Sequence, residues 1–214
     1  TVLGALFAPD AIAQKTQTSD SAATLPGVTV TATRSPSLIL TTPLAITTIA
    51  APELHGLRGF GLDEALTLVP GVIAQSRYGT SDVRLVIRGF GARGAGDRSN
   101  AGTSRGVRVL VDGIPETEPD GRTAFDQIDL AAAEGVEVIR SNASAVWGNA
   151  AGGVISVRTV PTTGVPSFEF QPMFGAFGLA RYVARASAPV GNGTMYANFT
   201  NTSFGGWREH SDAR

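Results

Sequence analysis

Gly89-Phe90-Gly91-Ala92-Arg93-Gly94 has the spacing G-x-G-x-x-G, and Asp112 follows Gly89 by 23 residues. Directly after an apolar strand such as Val83 to Arg88, this is nearly the fingerprint of a dinucleotide-binding loop with its ribose-binding acid. The chemistry requires a helix after the glycines, because the helix N-terminus faces the pyrophosphate. Residues 94–106 read GAGDRSNAGTSRG, with four glycines and no apolar periodicity, so a helix is not expected there. Asp112 is instead placed in a tight turn with Gly113. A nucleotide-binding enzyme is therefore disfavoured, and the stretch reads as a long polar surface loop of the kind that carries binding residues.

Other chemistry is limited by composition. Cysteine is absent and His55 and His210 are the only histidines, which removes thiolate catalysis and Cys/His zinc sites. No Ser/His/Asp arrangement is visible, so neither an enzyme nor a cofactor is expected. A net charge of −1 gives no basic excess for nucleic acid. Lys15 is the only lysine, leaving 16 of 17 basic residues as arginine, whose planar fork of donors suits carboxylates and other anions.

The elements that must position these residues fall into three parts. Val2 to Phe7 is a short apolar run, and Ala11-Ile12-Ala13 fits a secretory cleavage pattern, so residues 1–13 read as a truncated signal peptide. Residues 14–34 read as a polar tether ending in the β-prone run Gly27 to Arg34, which is suited to joining another protein's sheet edge. Residues 35–161 read as mixed α+β. Leu62, Ala65, Leu66 and Val69 share one face of a short helix stopped by Pro70-Gly71. Val83 to Arg88, Val107 to Val111, Gly135 to Arg140 and Val154 to Thr159 read as strands, with a helical piece at Ala143 to Trp147.

After Pro161 the pattern changes to strict alternation. Phe168, Phe170 and Phe174 oppose Ser167, Glu169 and Gln171; Tyr182, Ala184 and Ala186 oppose Arg181, Arg185 and Ser187; Met195, Ala197 and Phe199 oppose Tyr196, Asn198 and Thr200. Segments of about ten residues with this alternation are the signature of transmembrane barrel strands, although a soluble sandwich produces it too.

Together these pieces resemble the TonB-dependent outer-membrane receptors. Leu62 to Leu66 with Val69-Pro70-Gly71-Val72 is similar to the plug's first helix and exit, and Ile87-Arg88-Gly89-Phe90-Gly91 to the "IRGFG" strand end. Val109 to Pro115 resembles the "vlvDGiP" hairpin. Gly135 to Arg140, Ala143 to Gly148 and Gly152 to Ile155 resemble the closing "EVIRG…GGVI" motif, with Ser141-Asn142 in place of Gly-Pro. Those two residues still offer turn and capping chemistry, so the same backbone path is expected. Gly205-Gly206-Trp207-Arg208 is similar to an early barrel strand.

The resemblance implies an α+β plug domain followed by antiparallel transmembrane β-barrel strands at residues 162–214, in the bacterial outer membrane. Such barrels need at least about 8 strands. With three or four candidates here, the chain is expected to be part of a longer receptor. Val28, Thr29, Val30, Thr31 and Ala32 would form the TonB box and pair with TonB in the periplasm. Apical loops would carry Arg77, Tyr78, Arg93, Arg98, Arg105 and Arg122 to grip an anionic ligand. Arg88 and Arg140 match the plug arginines that pair with glutamates on the barrel wall. The expected cargo is a ferric siderophore or other metal chelate, with cobalamin or a sugar as alternatives. From another class, a soluble binding module could share the α+β core. About fourteen residues separate Ala13 from Val28, too few for an additional signalling domain, which favours a plain transporter.

Overall fold

The computed structural model describes residues 29–30, 34–59, 61–76, 83–91, 106–117, 123, 125–159, 165–206 and 212. The proposed signal peptide, most of the tether and the loop at 92–105 lie outside them.

The α+β part is built on a five-stranded sheet. Its strands are β3 (Ile46–Ala50), β7 (Val107–Val111), β8 (Ile114–Pro115), β9 (Gly135–Ile139) and β10 (Gly153–Arg158), in the spatial order β3-β9-β10-β7-β8. Only the β10–β7 pair is parallel. β9 is buried at all five positions, because it pairs on both edges and is covered on both faces.

The period-two alternation of these strands separates two apolar clusters. Val109, Val136, Val138, Ile155 and Val157 join Leu54, Leu62, Leu66, Leu85, Ile87, Phe125 and Leu130 on one face. Leu110, Ile139 and Val154 meet Ala143 and Ala150 on the other, with Trp147 packed against them. The first face is closed by α1 (Ala51–His55) and α2 (Leu62–Leu66). Leu62, Ala65, Leu66 and Val69 are all buried, as their spacing requires. In α1, Pro52 stands in the first turn and the Glu53 carboxylate accepts the Ala50 N–H at 3.4 Å, closing an otherwise free donor. Neither β3 nor α1 was evident in the sequence.

A second sheet holds β4 (Val72–Ser76), β5 (Val83–Ile87) and β6 (Phe90–Gly91). Here the glycine spacing finds its explanation. Ile87 faces Phe90 across a two-residue turn, with Arg88 at φ 53° and Gly89 at φ 80°. The glycines therefore serve a hairpin of the primed type and not a strand-to-helix loop. Asp112-Gly113 forms the other tight turn, and Asp112 accepts the Thr159 N–H at 2.8 Å. After Arg140, Ser141 accepts the Ala45 N–H and Asn142 accepts the Ser144 N–H, each at 3.0 Å, ahead of α3 (Ser144–Trp147).

The remaining sheet is antiparallel: β11 (Ser167–Phe174), β12 (Ala180–Val190) and β13 (Gly193–Ser203) in sequence order. Its alternation is as expected, but its polarity is inverted relative to a water-soluble sheet. Phe168, Phe170, Phe174, Met195 and Phe199 are 56–76% exposed, while Arg181 and Arg185 are only 4–5% exposed. In a soluble sandwich the apolar face would be the buried one. Here the polar face is turned onto the α+β part and the apolar face is turned out.

Candidate functional site: a folded-back segment and an arginine seam

Of the proposed TonB box, Thr29 and Val30 are described; Val28, Thr31 and Ala32 lie outside the described residues. Thr29–Val30 forms a two-residue strand, β1, paired antiparallel with β2 (Ser37–Leu38). Val30 is fully buried. The chain reverses through Arg34 at φ 71°, and the Arg34 guanidinium lies 4.6 Å from the centre of the Trp147 ring. Beside this stack, Asp112, Ser156 and Arg158 help line an open cleft of about 590 Å³. Among the described residues the segment is held by contacts that include the β1–β2 pairing, the burial of Val30 and the Arg34–Trp147 stack. The cation–π contact itself contributes about 0.5–1 kcal/mol.

Arg88 and Arg140 are brought together. The Arg88 guanidinium donates to the Arg140 carbonyl at 3.3 Å, and Arg140 donates to the Pro70 carbonyl at 3.0 Å. Among the described residues neither has a carboxylate partner, and the Arg140 Nε is buried without an acceptor. The six loop candidates Arg77, Tyr78, Arg93, Arg98, Arg105 and Arg122 all lie outside the described residues.

A third cluster was not anticipated. Arg181 projects from β12 into the α+β part, where it donates to the Arg58 carbonyl and, at 3.2 Å, to Asp129. Gly59 makes this possible twice over: it sits at φ 72°, and a Cβ there would collide with the Arg181 guanidinium. Asp129 is saturated, accepting also from Thr200 at 2.7 Å, Asn198 at 3.3 Å and the Ala131 N–H at 2.9 Å. Four residues along the strand, on the same face, Arg185 contacts His55 Nε2 and donates to Glu169 at 3.0 Å and Gln171 at 3.2 Å. Gln171 donates to the His55 carbonyl at 2.9 Å, and the Tyr196 hydroxyl to the Ala132 carbonyl at 3.3 Å. The sequence placed Arg181 and Arg185 on the polar face but offered no partner for them. A pair of inward arginines on one strand was the available signal, since a buried guanidinium requires acceptors.

Residues 39–154, more than half of the chain, match the family model of the TonB-dependent receptor plug domain. The chain belongs to the TonB-dependent receptors. It is 31% identical over 149 residues to the vitamin B12 transporter BtuB of Vibrio vulnificus strain CMCP6, covering 69% of this chain and 22% of that protein. The pyoverdine outer membrane receptor FpvA of Pseudomonas aeruginosa PAO1, bound to pyoverdine, superposes with a TM-score of 0.64 at 21% identity, covering 87% of this chain and 26% of that one. The ferric yersiniabactin uptake receptor FyuA of Yersinia pestis gives 0.54 at 21% identity, covering 75% and 24%. This chain thus spans about a fifth of the length of the curated relative. The α+β part is the plug, β11 to β13 are strands of the outer-membrane barrel, and their apolar face is the lipid face.

Proposed function

We propose that the receptor containing this chain imports an extracellular nutrient across the outer membrane, driven by TonB, and is not an enzyme. The observation that carries this reading is the short ladder of the box segment: Thr29 and Val30 pair with only Leu38 and Ser37, a two-pair ladder that TonB could replace by offering its own strand edge. Detaching Thr29–Val30 from Ser37–Leu38 would expose the box Val28 to Ala32 in the periplasm. Ferric siderophores are the favoured cargo, because FyuA is named for the uptake of ferric yersiniabactin and FpvA for pyoverdine. Vitamin B12 is the second reading, favoured by the likeness to BtuB. The loop arginines Arg77, Arg93, Arg98, Arg105 and Arg122, with Tyr78, are the proposed ligand contacts.

Arg88 and Arg140 are proposed as plug-to-wall latches. Their guanidinium groups keep donors beyond the backbone carbonyls they already contact, and wall glutamates would accept from these.

Cells expressing the full-length receptor would be tested for uptake of iron from a panel of ferric siderophores and for uptake of cyanocobalamin. Val30→Pro removes a backbone donor and should abolish uptake while surface binding of the same compounds persists. Loss of binding together with uptake would make the segment a structural strand and sink the coupling role.

A further inference from the structure

The plug and the barrel strands meet in one polar seam, and the charges there are arranged in the sense opposite to the Arg88 and Arg140 latches. The cations stand on the wall, at Arg181 and Arg185 of β12; the acceptors of Arg181 stand on the plug, while Arg185 is paired with Glu169 and Gln171 of β11 and reaches the plug at the His55 ring. Asp129 supplies the carboxylate, with the Arg58 carbonyl and the His55 ring beside it. The seam is built on both sides. Gly59 leaves the space the Arg181 guanidinium fills, and β13 adds Asn198 and Thr200 to the same carboxylate. Tyr196 and Gln171 extend it with contacts to the Ala132 and His55 carbonyls. Arg181 is 4% exposed and Arg185 5%, so both guanidinium groups are withdrawn from water, while the Asp129 and Glu169 carboxylates stay partly exposed.

The seam's position also matters. His55, Arg58 and Asp129 flank Leu54, Leu57 and Leu130, which belong to one face of the five-stranded sheet. The box segment stacks on Trp147, which packs against the opposite face. A pull on the box therefore arrives on the far side of the sheet from the seam.

We propose that Arg181 anchors this side of the plug to the barrel wall by entering the slot beside Gly59, with Asp129 as the principal partner, and that Arg185, held by Glu169 and Gln171 of the wall, supports it against the His55 ring. This rests on the reading of β11 to β13 as the wall of a barrel that encloses the plug. Without the arginines, the polar faces of seam and wall would be left facing a gap that water and small solutes enter.

The test uses the full-length receptor reconstituted into liposomes that trap a small fluorescent dye. Arg181→Met, and more strongly Arg181→Met with Arg185→Met, should release dye several-fold faster than the parent protein. Asp129→Asn, which keeps the shape of the side chain and removes its charge, should leak to a lesser degree. Cysteines at Ala132 and Tyr196, joined by a short bifunctional maleimide in the Arg181→Met background, should return the leak to the parent rate. Dye retention by both arginine variants would overturn the anchor. So would a leak that persists after the cross-link has formed, because the plug itself would then be disrupted. Binding of the TonB periplasmic domain is measured on the same liposomes; its absence from a dye-tight parent receptor would count against the import reading and leave the anchor standing.

Discussion

The plug and the three barrel strands obey the same alternation but face opposite solvents. In β9 and β10, Val136, Val138, Ile155 and Val157 turn inward to Leu62, Leu66 and Phe125, and the burial of apolar surface holds the plug together. In β11 to β13, Phe170, Met195 and Phe199 turn outward and two arginines are buried. Hydrophobic side chains therefore mark the core in one region and the lipid boundary in the other. What distinguishes the regions is the partner each face meets, which local pattern does not record.

The largest effects should come from breaking each region by its own rule. Leu66→Ala removes a fully buried side chain and should cost the plug about 2–5 kcal/mol. Hydrogen exchange of the β9 and β10 amides in the full-length receptor would report it. Phe170→Arg should leave that exchange unchanged while opposing insertion into bilayers by about 2–4 kcal/mol if the residue lies near the midplane. Equilibrium folding into lipid vesicles measures that cost. Equal effects of Phe170→Arg on plug exchange and on insertion would erase the distinction.

Smaller effects sharpen the account of the plug's turns. Asp112 sits at φ 49° and accepts from Thr159, so Asp112→Ala should cost about 1–2 kcal/mol in the same exchange experiment. Smallest of all, Trp147→Ala removes the surface on which Arg34 rests and should accelerate trypsin cleavage after Arg34 about two- to five-fold, the equivalent of about 0.5–1 kcal/mol. An unchanged cleavage rate would mean that the β1–β2 pairing alone holds the box segment.

Much of the plug was legible because its signals are local. The helix at Leu62 to Leu66, the strands ending at Ile87, Val111 and Ile139, and the Asp112-Gly113 turn each follow from spacing or turn chemistry within about ten residues. The alternation after Ser167 gave the barrel strands, but it left lipid face and sandwich core undecided until Phe168 and Phe199 were seen exposed. The Arg88-Gly89 hairpin was hidden by its likeness to a nucleotide loop. β3, with the run Ile46 to Ala50, lacks strict alternation and is defined by its pairing with β9, in which Ile49 faces Val136, 87 residues further along the chain. The seam was illegible for a related reason: Arg181 and Asp129 lie 52 residues apart, and nothing near Asp129 marks it as an acceptor.

The central claim, that β11 to β13 present their apolar face to lipid and their polar face to the plug, is tested most directly by nitroxide scanning along β13. Single spin labels would replace Met195 through Thr200 in turn in the full-length receptor in bilayers, and their collisions with oxygen and with a water-soluble nickel chelate would be compared. The account predicts a period of two, with high oxygen access at 195, 197 and 199 and low access to both reagents at 196, 198 and 200. Labels at 195, 197 and 199 that meet the nickel chelate as freely as a surface loop would contradict it.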